Sequence, residues 1–235
     1  MKWKLPRSVK VTELLCRDGL QHESHFIPTE TKVYFVDAFS DCGFDTVEVT
    51  NFGHPRGVVQ TRDAEDVLKR IQRKPGVTYK CYGMNRRAFE RAAQTKQDGN
   101  GPDAVAFTIS TTDEHCQRNA GRPVAQYLTE IPELVEIARG NGFDIDMAIA
   151  CVFGCPIAGP VPHAKAFELI DRGLDMGIKK FTPCDTTGEA SPERVYEFYT
   201  ELKERYPKAD CHLAHFHNTR GKGLANTLAA IVGGA

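Results

Sequence analysis

The stretch Leu213-Ala214-His215-Phe216-His217-Asn218-Thr219-Arg220-Gly221 reads as a short strand that ends in polar residues at a turn. Side chains on a strand alternate between faces, so His215 and His217 share one face while Ala214 and Phe216 share the other. His212 has the opposite parity and is expected to project away from the pair. Two imidazoles on one strand face make a ready pair of metal ligands. The same pattern, a short apolar strand with polar residues at its C-terminal end and an amphipathic helix behind it, recurs back through the chain.

Strands are predicted over residues 9–16, 46–52, 77–84, 103–110, 144–151, 178–184 and 210–217. Helical patterns lie between them: from Thr29 until Gly43 stops the turn, then over 63–73, 86–95, 124–139, 162–176, 192–206 and 223–232. Seven βα units of even spacing imply a parallel sheet, because each strand returns to the same side through a helix. The predicted fold is α/β, a (β/α)8 TIM barrel with seven units visible and the eighth missing; a doubly wound sheet is the runner-up. Polar residues gather at the C-terminal strand ends, namely Arg17 and Asp18, Glu48 to Asn51, Asn85, Ser110, Asp185 and the two histidines. Barrel active sites are built at that rim. The first turn, Cys16-Arg17-Asp18-Gly19-Leu20, does not fit the GxGxxG of a dinucleotide-binding sheet.

Composition narrows the function classes. The 235 residues are 41% hydrophobic and 26% charged, the make-up of one catalytic domain spanning 1–235 with a sizeable core. A net charge of −1 with both signs interspersed argues against a nucleic-acid surface. No run approaches the ~20 apolar residues of a membrane span, and the N-terminus lacks a leader-like apolar run. The expectation is a soluble cytoplasmic protein that binds a small molecule and is able to self-associate as a homo-oligomer. Eight scattered cysteines, several in apolar strand patterns, fit reduced core thiols. Cys151 and Cys155 lack the spacing and the second pair of a structural zinc site.

At the rim, a carboxylate from Asp18 would complete the histidine pair. Two imidazoles and a carboxylate with open positions suit a divalent cation that also holds substrate and water. Arg17 beside it is placed to hold an oxyanion. Glu48 alternates with Val47 and Val49 and is expected to point inward, where it needs a cationic partner. Arg17 is the natural one, which makes Glu48 an orienting group. Asp185 closes the sixth strand as either a turn aspartate or a chemical group.

These residues sit in segments that resemble the 3-hydroxy-3-methylglutaryl-CoA lyase family, within the wider group of barrel metallolyases and Claisen-type synthases. The segments are Arg17-Asp18-Gly19-Leu20-Gln21, Val47-Glu48-Val49-Thr50-Asn51-Phe52 followed by His54-Pro55-Arg56, Cys151-Val152-Phe153-Gly154-Cys155-Pro156, Asp185-Thr186-Thr187-Gly188 and His215-Phe216-His217-Asn218-Thr219. The resemblance implies a magnesium or manganese ion held by Asp18, His215 and His217, with Arg17 and Glu48 in support. It implies retro-Claisen cleavage of an acyl-CoA to acetyl-CoA and a ketone-containing acid, with His215 or Asp185 taking the hydroxyl proton and Arg17 steadying the enolate. Departures at Asn51, at 111–116 and at 97–102 border the acyl pocket and put the accepted acyl group in question. Arg220 and Lys222 are candidates to meet a CoA phosphate. The other readings are a synthase condensing acetyl-CoA with a 2-oxo acid, or a non-catalytic barrel that binds a CoA thioester. The family also implies a further strand, a catalytic-cysteine loop and an asparagine ligand. None of Cys155, Cys184 or Cys211 matches that cysteine, so a shortened chain with little activity is expected.

Overall fold

The computed structural model describes residues 5–54, 57–208 and 213–235. Its strands are β1 (Thr12–Glu13), β2 (Thr46–Asn51), β3 (Thr78–Tyr82), β4 (Ala104–Ser110), β5 (Asp144–Ala150), β6 (Lys180–Asp185) and β7 (His215–Phe216). Among the described residues they form one sheet in the unbroken order of the chain, with parallel pairing. A doubly wound sheet reverses its strand order at a switch point, so this order is that of the TIM-barrel class. The helices are α1 (Thr29–Asp41), α2 (Ala64–Arg70), α3 (Arg86–Gln97), α4 (Asp113–Ala120), α5 (Val124–Asn141), α6 (Ala164–Asp175), α7 (Pro192–Arg205) and α8 (Gly223–Gly233).

The chain divides into two compact units: an N-terminal one of Ser8–Phe107 and Glu133–Ile145, and a C-terminal one that includes Thr108–Pro132 and Asp146–Ala235. In the N-terminal unit, β-branched residues make β2 a strand buried on both faces, as a parallel strand between helices must be. Its core joins Val36 of α1, Val47, Val49, Val67, Leu68, Tyr79, Phe89 and Val105, all at most 1% exposed. Asn85 caps α3 by accepting from the Ala88 N–H at 3.0 Å. In the C-terminal unit, Phe198 of α7 stacks on Phe167 of α6 at 5.2 Å between ring centres and meets Phe153 edge-on at 5.3 Å. Ser191 caps α7 and Pro192 opens it, the favoured N-terminal pairing. Gly173 lets α6 sit tight on β6: a Cβ there would come within 2.4 Å of the Phe181 ring.

Two elements differ from the sequence expectation. The apolar run 9–16 forms only the two-residue β1; Val9 and Val11 are half exposed, and Leu15–Gly19 winds into a π-helical turn instead. Cys16 therefore sits in a helical turn rather than a strand. The polar loop expected after β4 contains α4, which has Thr112 before it, Asp113 and Glu114 in its first turn and a left-handed Gly121 after it. Those are helix start and stop signals, but Cys116 is the one buried residue of the helix, so the periodicity is weak. The start of the seventh strand, His212 and Cys211 lie outside the described residues, as do Pro55 and Arg56 of the segment after β2.

Candidate functional site

The predicted site residues fall in both units, and each set is built locally. In the N-terminal unit the π-helical turn arises because one carbonyl gathers three donors. Leu14 O accepts the N–H groups of Arg17 at 3.2 Å, Asp18 at 2.8 Å and Gly19 at 3.3 Å. Such turns are frequent at functional positions. Gly19 fits there because a Cβ would lie 2.9 Å from Leu15 Cδ1. The turn sets Arg17 and Asp18 side by side, with Arg17 Nη1 donating to Asp18 Oδ1 at 3.0 Å and Gln21 Nε2 donating to the same oxygen at 2.7 Å. Cys16 is buried beneath, and burial pushes its thiol up to about 12, an inert group.

Arg17 Nε donates to Glu48 Oε1, the pairing the alternation of β2 predicts. Glu48 is 1% exposed and carries a second cation that the sequence pattern did not single out, Lys80 Nζ at 3.0 Å from Oε2. The guanidinium also lies over the Tyr82 ring, 4.8 Å from its centre. Burial raises the Glu48 carboxyl, but Arg17 and Lys80 outweigh it and hold the group below the usual carboxylate range. Burial works against the charge of Arg17 as well, yet Glu48 and Asp18 keep it firmly protonated. The signal for Lys80 was its register. It pairs with Glu48 across the ladder, next to a register shift between Glu48 and Thr50.

In the C-terminal unit, Phe216 packs against Phe153 and Tyr199, with ring centres 5.8 and 6.4 Å away, and so faces the helices. Parity then turns His215 and His217 to the other face, where their ring centres lie 4.8 Å apart. The strand is held by pairing of His215 with Cys184 and of Phe216 with Asp185, and by the His217 N–H donating to Asp185 O at 3.3 Å. The Asp185 side chain, 1% exposed, accepts from the Ala190 N–H at 3.2 Å. Burial lifts its carboxyl above the ordinary range despite that bond. The bond to the Ala190 N–H makes Asp185 a turn aspartate.

The loop after β5 is tied into the same rim. Thr111 Oγ1 donates to Cys151 O at 3.0 Å, the Cys151 N–H donates to Thr186 Oγ1 at 2.9 Å, and the Val152 N–H donates to Cys184 O at 3.2 Å. Cys155 is ringed by donors: the Thr112 hydroxyl at 3.2 Å and the Ala158 N–H at 3.3 Å. All seven described cysteines are free, and none belongs to a metal-ligating cluster among the described residues. Within the departing segment, Ser110 Oγ and His115 Nδ1 lie 2.5 Å apart. Arg220 and Lys222 are engaged inside the chain, Arg220 with the Glu189 carboxylate at 2.5 Å and Lys222 with the Ala190 carbonyl. Both contacts brace the loop after β6.

A parallel βα sheet in unbroken strand order with polar side chains at the strand ends has the pattern of a TIM-barrel enzyme. The HMGL-like family model matches residues 8–235, and the chain belongs to that family. The hydroxymethylglutaryl-CoA lyase YngG of Bacillus subtilis (strain 168) is 33% identical over 226 residues, covering 96% of this chain and 74% of the relative. The crystal structure of a Bacillus subtilis HMG-CoA lyase superposes with a TM-score of 0.91 at 31% identity, over 98% of this chain and 75% of the other. An HMG-CoA lyase from Acenitobacter baumannii, solved in complex with coenzyme A and 3-methylmalate, gives 0.88 at 32% identity, over 96% of this chain and 72% of that one.

Proposed function

We propose that residues 1–235 act as one catalytic domain, a divalent-metal-dependent lyase that cleaves 3-hydroxy-3-methylglutaryl-CoA or a close 3-hydroxyacyl-CoA relative to acetyl-CoA and a ketone-containing acid. The observation that carries the reading is the Arg17–Glu48 clamp beside Asp18, in a family whose relatives are named for this cleavage. Asp18, His215 and His217 offer one carboxylate and two imidazoles, a donor set that fits magnesium or manganese with room left for substrate. When bound there, the ion supplies Lewis-acid stabilisation of substrate oxygens that become negative.

The chain's own residues account for the remaining steps. Asp185, its carboxyl raised by burial, takes the proton of the 3-hydroxyl. As the C3–O bond becomes a carbonyl, the C2–C3 bond breaks and its electron pair moves onto the thioester as an enolate. Arg17, held by Glu48 and kept charged, steadies the enolate oxygen until C2 takes a proton and acetyl-CoA is formed. His215 is the other candidate for the 3-hydroxyl proton, beside its place as a ligand. Asn51 and the segments 97–102 and 111–116 depart from the family's pattern, so close analogues of the methylglutaryl chain are part of the proposal. We infer a cytoplasmic setting, which suits free thiols. No described helix is long and apolar enough to cross a membrane.

The test is a panel of 3-hydroxyacyl-CoA thioesters incubated with the protein at controlled Mg2+ and Mn2+. Acetyl-CoA release that a chelator stops and metal restores is the expected result. Consumption of acetyl-CoA with a 2-oxo acid, without cleavage of any thioester, would mark a Claisen-type synthase instead.

A further inference from the structure

We infer that Lys80 is a positioning residue for Arg17, dividing the charge of Glu48 so that the guanidinium keeps its remaining donors and its field for an oxyanion. The inference rests on the role given to Arg17 above, and it concerns residues of the N-terminal unit alone.

The geometry starts from the strand pattern. Tyr79, one residue before Lys80, donates its hydroxyl to Ser40 Oγ of α1 at 3.0 Å and so faces the helices. Parity turns Lys80 to the opposite face, where its register partner across the ladder is Glu48. The Lys80 side chain is 11% exposed and reaches Glu48 Oε2 at 3.0 Å, while Arg17 Nε takes Oε1. Each carboxylate oxygen therefore has its own cation. Guanidinium and carboxylate prefer to pair through two parallel N–H···O bonds when both oxygens are open. With Lys80 on Oε2, Arg17 is limited to a single bond through Nε. That leaves Nη1 to meet Asp18 and the Nη2 edge uncommitted among the described residues.

Charge gives the same answer by a separate route. Arg17 touches two carboxylates, Glu48 and Asp18. Between two anions in a buried setting, a single arginine has its charge more than matched and presents little attraction to a third negative group. Lys80 brings a second positive charge to Glu48, so Arg17 shares the neutralisation of that carboxylate. A lysine in mid-strand is costly to bury unless paired, and here its partner is the residue that orients Arg17. Removing it lets Glu48 rotate to grip Arg17 with both oxygens and draws the guanidinium back along β2.

The experiment compares Lys80→Met, Lys80→Arg, Arg17→Met and the Lys80→Met/Arg17→Met double variant. The readouts are kcat and KM for thioester cleavage, thermal unfolding, and the side-chain Nε–H resonance of Arg17 in 15N-labelled protein. The expected result is a folded Lys80→Met protein whose kcat falls between about 10- and 100-fold with KM within about twofold, as for a misplaced transition-state group. Lys80→Arg recovers most of the loss, and the double variant is no slower than Arg17→Met alone, since Lys80 acts through Arg17. The Arg17 Nε–H signal shifts in Lys80→Met. That signal does not depend on turnover, so it tests Lys80 even if the wild type cleaves no thioester, which would count against the lyase reading instead. An unmoved Arg17 resonance, additive losses in the double variant, or a rise in KM alone would overturn the inference.

Discussion

In the proposed cleavage Arg17 steadies the enolate oxygen, and its surroundings say how it should fail. Arg17→Met removes the donor but leaves the carboxylate and imidazole ligands in place. The expected outcome is metal binding near the wild-type value with kcat lowered by about 10²-fold or more, as when one oxyanion donor is deleted. A rise in KM with kcat unchanged would make Arg17 a substrate anchor. Glu48 carries a stability prediction as well. Its folded carboxyl is held below the ordinary 4.5 by Arg17 and Lys80, against the pull of burial. The stabilisation from that difference is complete above pH 4.5 and is lost as pH falls through the lower folded value. Glu48→Gln strands two partly buried cations and should cost about 3–5 kcal/mol at pH 7. The deficit relative to wild type should shrink in urea titrations repeated toward pH 3. A deficit independent of pH would contradict the charge account. Arg17 and Glu48 are legible in the sequence because strand alternation fixes which way Glu48 points and a buried carboxylate demands a cation. Lys80 is not, because a lysine in a strand reads equally as a snorkelling surface residue until the register to Glu48 is known.

At the level of elements, the strand and helix order is legible in the periodicity, and the departures have local causes. The run 9–16 has strand-like composition, but only Thr12 and Glu13 find ladder partners, with Thr46 and Val47 of β2. Beyond them Leu14 O collects three N–H groups and the chain winds into the turn that carries Arg17 and Asp18. No sequence pattern announces a π-helical turn, since it is defined by which carbonyl the donors choose. α4 escapes a reading by periodicity because its first turn is acidic and its apolar face is narrow. The close seat of α6 on β6 gives a test of packing alone. Gly173→Ala would press a methyl against Phe181 Cε1, at 2.4 Å, and Met147 Sδ, at 3.0 Å. Overpacking of that kind typically costs about 1–3 kcal/mol. Chemical denaturation should show that loss with metal affinity unchanged; an unchanged midpoint would mean that the helix moves away freely.

For the whole molecule, the fold class and the family are legible in the order of residues along the chain. Seven βα units imply a parallel sheet, as the strand order bears out, and the family model matches residues 8–235. The division of the chain into two compact units is not legible there, because β4, α5 and β5 each run through both without a break in composition. We propose that one divalent ion is held by Asp18, His215 and His217, and a manganese titration followed by electron paramagnetic resonance tests this most directly. The predicted result is one tightly held Mn2+ per wild-type chain, retained in Arg17→Met and lost in His217→Ala. Unchanged manganese stoichiometry in a folded His217→Ala protein would contradict it.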